Sequence, residues 1–392
     1  MLGFNISTVM PQTLGSLSEQ SCTFTDMRIS QILAIDAEKH GRPLEISWSP
    51  NDNYMAVGTV HDSLDSNTKP NLFAIWDTQT WEQIFSFELP GDYYAQSISW
   101  SPDSTYVVIF YRDRLMAWNT STWDHTEITV PEMSIYRVSW TNDNELVTLS
   151  DTGAWLGTDI KPYGNVPRLW NVTDGTLIQD FGVIGLQADI AFMDDRWLIV
   201  TSTEDALRAY YIGNEEHNLI QLQNAQLVDM AVNTNTIYLA TATQSQPGTQ
   251  IQVWDLTDNN ELLSVSDVEY TGGGRLLEAA NFLLVYQYSG AGEIWDIEAQ
   301  VAFPNLNVDR QDYRLIRADW SLATMCVAAT TYPDSNIETS ALIYLLDVAS
   351  GQQITHFKGH SEGYYVSRLA WSTSGQQLAS SSSDSTIIIW QA

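Results

Sequence analysis

The sequence predicts an all-β fold assembled from repeated four-stranded antiparallel units, and three observations carry that reading. A short β-branched and aromatic run closes on a large apolar residue at eight places: Trp76, Trp118, Trp170, Tyr211, Trp254, Trp295, Leu346 and Trp390. Successive members lie 41 to 52 residues apart, the ~40–45-residue period of four-stranded propeller blades with two insertions. Each run has an earlier strand-like run before it, ending near Trp48, Trp100, Trp140, Phe192, Val232, Leu277, Trp320 and Trp371. The fold class that follows is an eight-bladed β-propeller of four-stranded antiparallel blades.

The stretch from Lys358 to Ala392 shows the unit most clearly. Val366 to Trp371 and Gln377 to Ser382 read as strands around the turn Thr373-Ser374-Gly375. Ser383-Asp384-Ser385 is turn chemistry, and Thr386 to Trp390 is a β-branched run ending on tryptophan. In earlier repeats a fourth strand follows, as in Glu82 to Leu89, Thr176 to Phe181 and Gln352 to Phe357.

Residue for residue, this stretch resembles the WD-repeat β-propeller family, whose unit reads Gly-His, W-S-P-x-G, L-A-S-x-S-x-D and T-I-x-I-W-D. Gly359-His360, Trp371-Ser372, Gly375, Leu378-Ala379-Ser380, Asp384 and Ile387 to Trp390 fit, while Thr373 stands for proline and Gln391 for the aspartate of the WD pair. Trp48-Ser49-Pro50 and Trp100-Ser101-Pro102 repeat the W-S-P element. The resemblance implies a hydrogen-bonded structural tetrad of His360, Ser382 (or Ser380), Asp384 and Trp390. The other repeats keep only parts of it, such as Asp113 with Trp118 and Asp205 with Tyr211. A buried hydrogen bond nets ~1 kcal/mol, whereas a buried tryptophan is worth ~4–6 kcal/mol as an upper estimate, so the aromatic anchor outlasts the polar set.

Seven blades is the family's commonest count and stands as the alternative. Eight is preferred because eight first strands and eight closing residues can be counted. The gaps between the two also alternate, at 28, 18, 30, 19, 22, 18, 26 and 19 residues, and strict alternation closes only on an even number. Repeats one, three, five and seven thus carry long loops, His61 to Pro70, Asp151 to Val166, Gln244 to Thr249 and Tyr332 to Ser340. The last repeat ends before a fourth strand, and Met27 to Ile35 is an extra strand before the first. Pairing the two closes the ring and removes two open sheet edges. Residues 1–25 then form an N-terminal tail and residues 26–392 a single domain.

Composition narrows the function. The formal net charge of −31, with 17 Lys and Arg, disfavours a nucleic-acid partner, which draws on cations, and favours a basic one. The scarcity of lysine is a bias seen in salt-adapted proteins, although charged residues make up only 17% of the chain. The two cysteines, Cys22 and Cys326, are too few for a disulfide framework and suit a reducing interior. The N-terminus has no basic start or apolar core of a signal peptide, and no apolar run approaches the ~20 residues of a membrane span. The expectation is a cytoplasmic monomer with no membrane association.

Catalytic and cofactor chemistry finds no support. His360, Ser382 and Asp384 have the residue types of an acyl-transfer triad, but no G-x-S-x-G elbow occurs and the motif assigns them to structure. Thr271-Gly272-Gly273-Gly274-Arg275 aligns to no phosphate loop. The six histidines are scattered without metal-ligand spacing. No catalytic residue, metal or cofactor is expected.

The resemblance implies that a partner binds the face built from the fourth-to-first and second-to-third strand connections, near the central channel, through residues four and six positions before the first-strand tryptophan. Carried over, these are Arg42 and Leu44, Tyr94 and Gln96, Ser134 and Tyr136, Arg314 and Ile316, and Tyr365 and Ser367. Tyrosine and arginine recur there, as in interface hot spots. His61, Asp62, Asp65, Trp155, Tyr163 and Tyr332 of the long loops join that face. The expected function is a non-enzymatic scaffold for a protein or peptide partner, a basic one. Alternatives are an enzyme on an eight-bladed scaffold, quinoprotein-like or hydrolytic, and a structural oligomerisation module.

Overall fold

Short apolar runs bounded by turn residues become strands throughout the computed structural model, and one four-residue helix, α1 (Ala37–His40), is the exception among the described residues. The structure describes residues 21–391 apart from the connections 62–68, 91–92, 131–133, 152–163, 203–205, 213–216, 245–248, 278–281, 288–291, 303–312 and 334–341 and some shorter turn positions. The strands form eight four-stranded antiparallel sheets, divided between two compact units.

Four sheets make the first unit. After β1 (Arg28–Ala34) come β2 (Arg42–Trp48), β3 (Tyr54–Val60), β4 (Asn71–Asp77) and β5 (Gln83–Leu89), then β6 (Ser97–Trp100), β7 (Tyr106–Tyr111), β8 (Arg114–Asn119) and β9 (His125–Thr129). The second unit holds β10 (Ser134–Asn142), β11 (Glu145–Asp151), β12 (Asn165–Asn171), β13 (Leu177–Asp180), β14 (Gln187–Met193), β15 (Arg196–Ser202), β16 (Ala206–Ile212) and β17 (His217–Gln223). It continues with β18 (Ala225–Asn233), β19 (Thr236–Gln244), β20 (Thr249–Asp255), β21 (Asn260–Val268), β22 (Tyr270–Leu277), β23 (Phe282–Gln287), β24 (Gly292–Asp296) and β25 (Val301–Ala302). The chain then re-enters the first unit with β26 (Tyr313–Ser321), β27 (Cys326–Pro333), β28 (Leu342–Asp347), β29 (Gln353–Lys358), β30 (Val366–Trp371), β31 (Gln377–Ser382) and β32 (Thr386–Gln391).

Seven sheets are meanders of four consecutive strands; the eighth has the order β1-β32-β31-β30. The N-terminal strand therefore supplies the fourth strand that the last repeat lacks, antiparallel to β32 with Ile29 opposite Trp390 and Leu33 opposite Ile387. Within each unit, apolar faces of successive sheets pack together. Leu33, Trp48, Met55, Trp76, Ile387 and Ile389 fill one such layer and Phe73, Ile75, Trp100, Val107 and Trp118 the next. In the first sheet burial falls outward: β3 and β4 are buried almost throughout, while β5 alternates, as a half-solvated edge strand does.

All eight closing residues sit on third strands. In five sheets the predicted first-strand residue shares their rung: Trp48–Met55–Trp76, Trp100–Val107–Trp118, Trp140–Leu146–Trp170, Trp320–Val327–Leu346 and Trp371–Leu378–Trp390. In the fourth, fifth and sixth sheets the rung holds Ala191, Met230 and Leu276, so Phe192, Val232 and Leu277 stand one or two residues too far along. These strands carry no tryptophan, and a one-residue slip leaves an apolar run looking the same.

The cysteines are a correction. Cys22 and Cys326 form a disulfide, with Cα atoms 4.8 Å apart and 304 residues between them in sequence. Two cysteines that far apart look solitary in sequence; the pairing of β1 with β32 carries the N-terminal segment back across the neighbouring sheet to meet Cys326.

Candidate functional site

The tetrad residues meet at the two middle strands of the last sheet, β31 and β32. Trp390 Nε1 donates to Ser380 Oγ at 2.8 Å, and Ser380 Oγ lies 2.7 Å from His360 Nε2. His360 Nδ1 is 2.9 Å from Thr386 Oγ1 and 3.4 Å from an Asp384 oxygen, and Thr386 Oγ1 donates to Asp384 at 2.6 Å. The donors and acceptors are all satisfied by one tautomer, with the proton on Nδ1 and the Ser380 hydroxyl donating to Nε2. Asp384 also accepts from Ser361 N–H at 2.7 Å. Burial raises the Asp384 pKa, but the bonds from His360, Thr386 and Ser361 outweigh it and hold the carboxyl well below the usual carboxylate range.

Of the two candidate serines, Ser380 is the member and Ser382 is not. Ser382 lies one pleat further along, and its hydroxyl accepts from Asp384 N–H at 3.2 Å. The sequence reading also passed over Thr386, although the threonine of T-I-x-I-W is part of the motif. Gly359 belongs to the packing, since a Cβ there would stand 2.6 Å from Trp390 Cη2. This set is no hydrolase triad: Ser380 is fully buried and its oxygen already receives the Trp390 N–H, so no substrate carbonyl reaches it.

Part of the arrangement recurs. Trp170 Nε1 donates to Thr148 Oγ1 at 2.9 Å and Trp254 Nε1 to Thr241 Oγ1 at 3.3 Å. Thr148 pairs with Arg168 and Thr241 with Gln252, as Ser380 pairs with Ile388, each two residues before the tryptophan. The aspartate of the WD pair has a different job. Asp77 and Asp347 accept the N–H groups of the turn that leads into the fourth strand, at Gln79 and Thr80 and at Ser350. Backbone bonding from Thr80 lowers the Asp77 pKa.

Of the expected contact residues, Arg42, Tyr94, Gln96 and Tyr365 lie in the first unit at the N-terminal ends of β2, β6 and β30, whereas Tyr136 is on β10 of the second unit and Arg314 on β26. Arg42 opens β2, and its guanidinium lies 5.4 Å from the Tyr365 ring centroid while Nη1 donates to Ser367 Oγ at 3.3 Å. Beneath it, Glu45 and Arg368 form a largely buried ion pair at 2.8 Å. On the other flank Arg112 lies 4.8 Å over Tyr93, which stacks on Tyr111. Burial raises the Tyr111 pKa, so it stays a neutral aromatic partner. Asn71 joins the two flanks: its oxygen accepts from His61 N–H and its amide donates to Tyr93 O at 2.8 Å. Tyr364 and Tyr365 are each 46% exposed and Tyr94 36%, accessible aromatic residues beside the first strands of two sheets, β30 and β6.

A β-bulge explains how these side chains are aimed. The ladder register shifts between Pro43 and Glu45, Ile135 and Arg137, Leu315 and Arg317, and Val366 and Arg368. The extra residue is thus Leu44, Tyr136, Ile316 or Ser367, the position four before the tryptophan, and a bulge re-aims the side chains around it. Tyr136 is half-buried against Val147, Leu149 and Leu169. Tyr94 and the half-buried Gln96 precede β6, and Gln96 N–H donates to Phe110 O at 3.0 Å. Arg314 lies on β26 opposite Tyr332. Asp62, Asp65, Trp155 and Tyr163 fall outside the described residues, and His61 Nε2 lies 3.3 Å from Lys39 O.

Comparison with known proteins agrees with this geometry. Residues 351–391 match the family described as WD domain, G-beta repeat. The crystal structure of Sqt1 from Chaetomium thermophilum is similar, with a TM-score of 0.62 and 12% identity over 90% of this chain and 95% of that one. No curated protein sequence matches the chain. The last repeat thus matches a WD repeat in sequence, and the all-β fold of four-stranded antiparallel sheets is that of a β-propeller.

Proposed function

We propose that the chain is a non-enzymatic interaction scaffold that docks an arginine-containing protein segment on the surface formed by Tyr364, Tyr365, Arg42, Tyr93 and Tyr94. WD-repeat propellers are in general protein-interaction scaffolds, and the finer reading rests on one observation. Two aromatic rings of this surface already seat guanidinium groups, Arg42 on Tyr365 and Arg112 on Tyr93. Rings so placed offer a cationic partner a stacking face worth ~0.5–2 kcal/mol each. The net charge of −31 steers a basic segment in and repels nucleic acid.

The remaining expectations stand beside this reading. A monomer suffices for it, and no cofactor or metal is invoked. No described helix is long and apolar enough to cross a membrane. A cytoplasmic setting is kept as part of the proposal, with the qualification that a disulfide there is a transient, redox-responsive bond.

The test uses Tyr94→Ala/Tyr365→Ala, because Tyr136 packs against the core and its removal carries a folding cost. Binding of arginine-rich, lysine-rich and acidic peptides of equal length is measured by fluorescence anisotropy on wild type and variant. The expected result is arginine-selective binding, weakened tenfold or more in the variant at unchanged melting temperature. Equal binding by the variant refutes the site; capture of no basic segment refutes the partner class.

A further inference from the structure

We infer that the Cys22–Cys326 disulfide is a redox-operated clasp that decides whether the N-terminal strand stays on the last sheet. The strand itself holds weakly. Of the seven residues of β1 only Leu33 is buried, and Ile29 and Ile32 are 43% and 56% exposed. Its apolar anchors lie just outside it, Ile35 at one end and the segment from Cys22 to Met27 at the other.

That segment bridges two sheets. Met27, 4% exposed, packs in one cluster with Cys326, Ala328, Ile343, Leu345, Phe357, Trp371 and Trp390, and Phe24 stacks on Trp371 at 6.0 Å. Cys22 N–H donates to Asp347 Oδ1 at 2.6 Å, beside the third strand of the neighbouring sheet. The disulfide is therefore the far end of a strap that crosses from β27 to β32. With it closed, β1 re-forms intramolecularly after every opening; with it open, only Phe24, Met27, Leu33 and Ile35 remain to hold the strap.

The sulfurs are unequal, which sets the chemistry. Cys326 is fully buried and Cys22 half-buried, so a small thiolate attacks at Cys22 and displaces the Cys326 thiolate. Closure runs in reverse. The two thiols react with a small-molecule disulfide RSSR in two successive exchanges, giving the protein disulfide and two RSH. The cysteines are oxidised, RSSR is reduced, and the two thiol protons leave on the two RSH.

Hydrogen exchange on the full chain tests the clasp. Amides of β1 and β32 are followed in the oxidised protein, after dithiothreitol, and in Cys22→Ser, with β7 and β8 as internal reference. Reduction and the variant are expected to speed exchange in β1 tenfold or more while β7 and β8 hold, and oxidised glutathione is expected to restore slow exchange in the wild type only. Labelling of both cysteines by a maleimide in the native unreduced protein would overturn the proposal. So would exchange in β1 that ignores reduction, or acceleration spread evenly through β7 and β8.

Discussion

The Asp52 carboxylate accepts hydrogen bonds from Thr373 N–H at 2.6 Å and Ser374 N–H at 2.7 Å, across 321 and 322 residues of sequence. Asp52 has φ 57° and Gly375 φ 71°, each four residues beyond its first-strand tryptophan, where the family motif has glycine. The first repeat thus gives up the unstrained residue and gains a clasp on its neighbour. Ser104, φ 63°, does the same, its hydroxyl accepting from Asn51 N–H at 3.2 Å. At Gly375 the neighbour leaves no such option, since a Cβ would run into Ser321 Oγ.

Removing the clasp separates its two effects. Asp52→Ala loses both bonds and keeps the left-handed strain, so a cost of ~2–3 kcal/mol is expected. Asp52→Gly loses the bonds but relieves the strain, and about 1 kcal/mol of that cost is expected back. Urea denaturation of both variants checks the order; equal stability of Asp52→Ala and wild type would show the bonds to be idle.

Ser380 and Ser382 make a sharper pair, chemically alike and two residues apart. Ser380→Ala orphans the buried Trp390 N–H and His360 Nε2 and is expected to cost ~2–4 kcal/mol. Ser382→Ala is expected to cost below about 1 kcal/mol. By the same argument His360→Ala destabilises more than Asp113→Ala. The network also sets a pH dependence. The Asp384 pKa is depressed in the fold, so its contribution is complete above the unfolded carboxylate value of 3.8 and is lost as pH falls through the folded one. Stability measured from pH 5 to pH 2 is expected to fall less steeply in Asp384→Asn than in wild type.

His40 carries the opposite charge type and the same slope. Burial lowers its pKa, Lys39 adds to the lowering, and Glu88, the Pro70 carbonyl and Asp36 oppose it. The unfolded chain therefore binds the proton more readily than the fold. Stability is fully present above 6.5 and declines as pH drops below that value. Denaturant midpoints at pH 7.5 and 5.5 are expected to differ less in His40→Gln than in wild type.

The repeat count, the third-strand anchors and the strand exchange at the termini were legible because each rests on many residues or on a missing piece that had to be supplied. Register in the fourth to sixth sheets was not, since Ala191, Met230 and Leu276 look like their neighbours without a tryptophan to fix the rung. The disulfide was hidden because proximity of residues 22 and 326 exists only once β1 is paired. The positions of Tyr94 and Tyr365 could be assigned from the motif, but the bulges in the first strands and the Asn71 link leave no sequence mark.

Trp81 and Trp123 show why turn chemistry alone misleads. Both have positive φ, 57° and 62°, at the turn position where the third repeat places Gly175. Large side chains avoid that region, at a cost of ~1–2 kcal/mol, so something must hold them. Trp81 meets Trp48 edge-on at 5.9 Å, and Trp123 stacks on Phe85 at 4.8 Å and meets Tyr54 at 6.1 Å. Trp81 thus covers the first-strand tryptophan of its own sheet, and Trp123 packs on the second and fourth strands of the preceding sheet. Glycine at either position would free the backbone but open a gap beside an aromatic core. With a large-to-small aromatic change costing ~3–5 kcal/mol in full burial and about 1 kcal/mol of strain returned, Trp123→Gly is expected to lose ~2 kcal/mol or more. Trp81→Gly, with one ring contact instead of two, is expected to lose less. Differential scanning calorimetry of the two variants checks the ranking, and a melting temperature above wild type in Trp123→Gly would mean that strain, not packing, governs this turn.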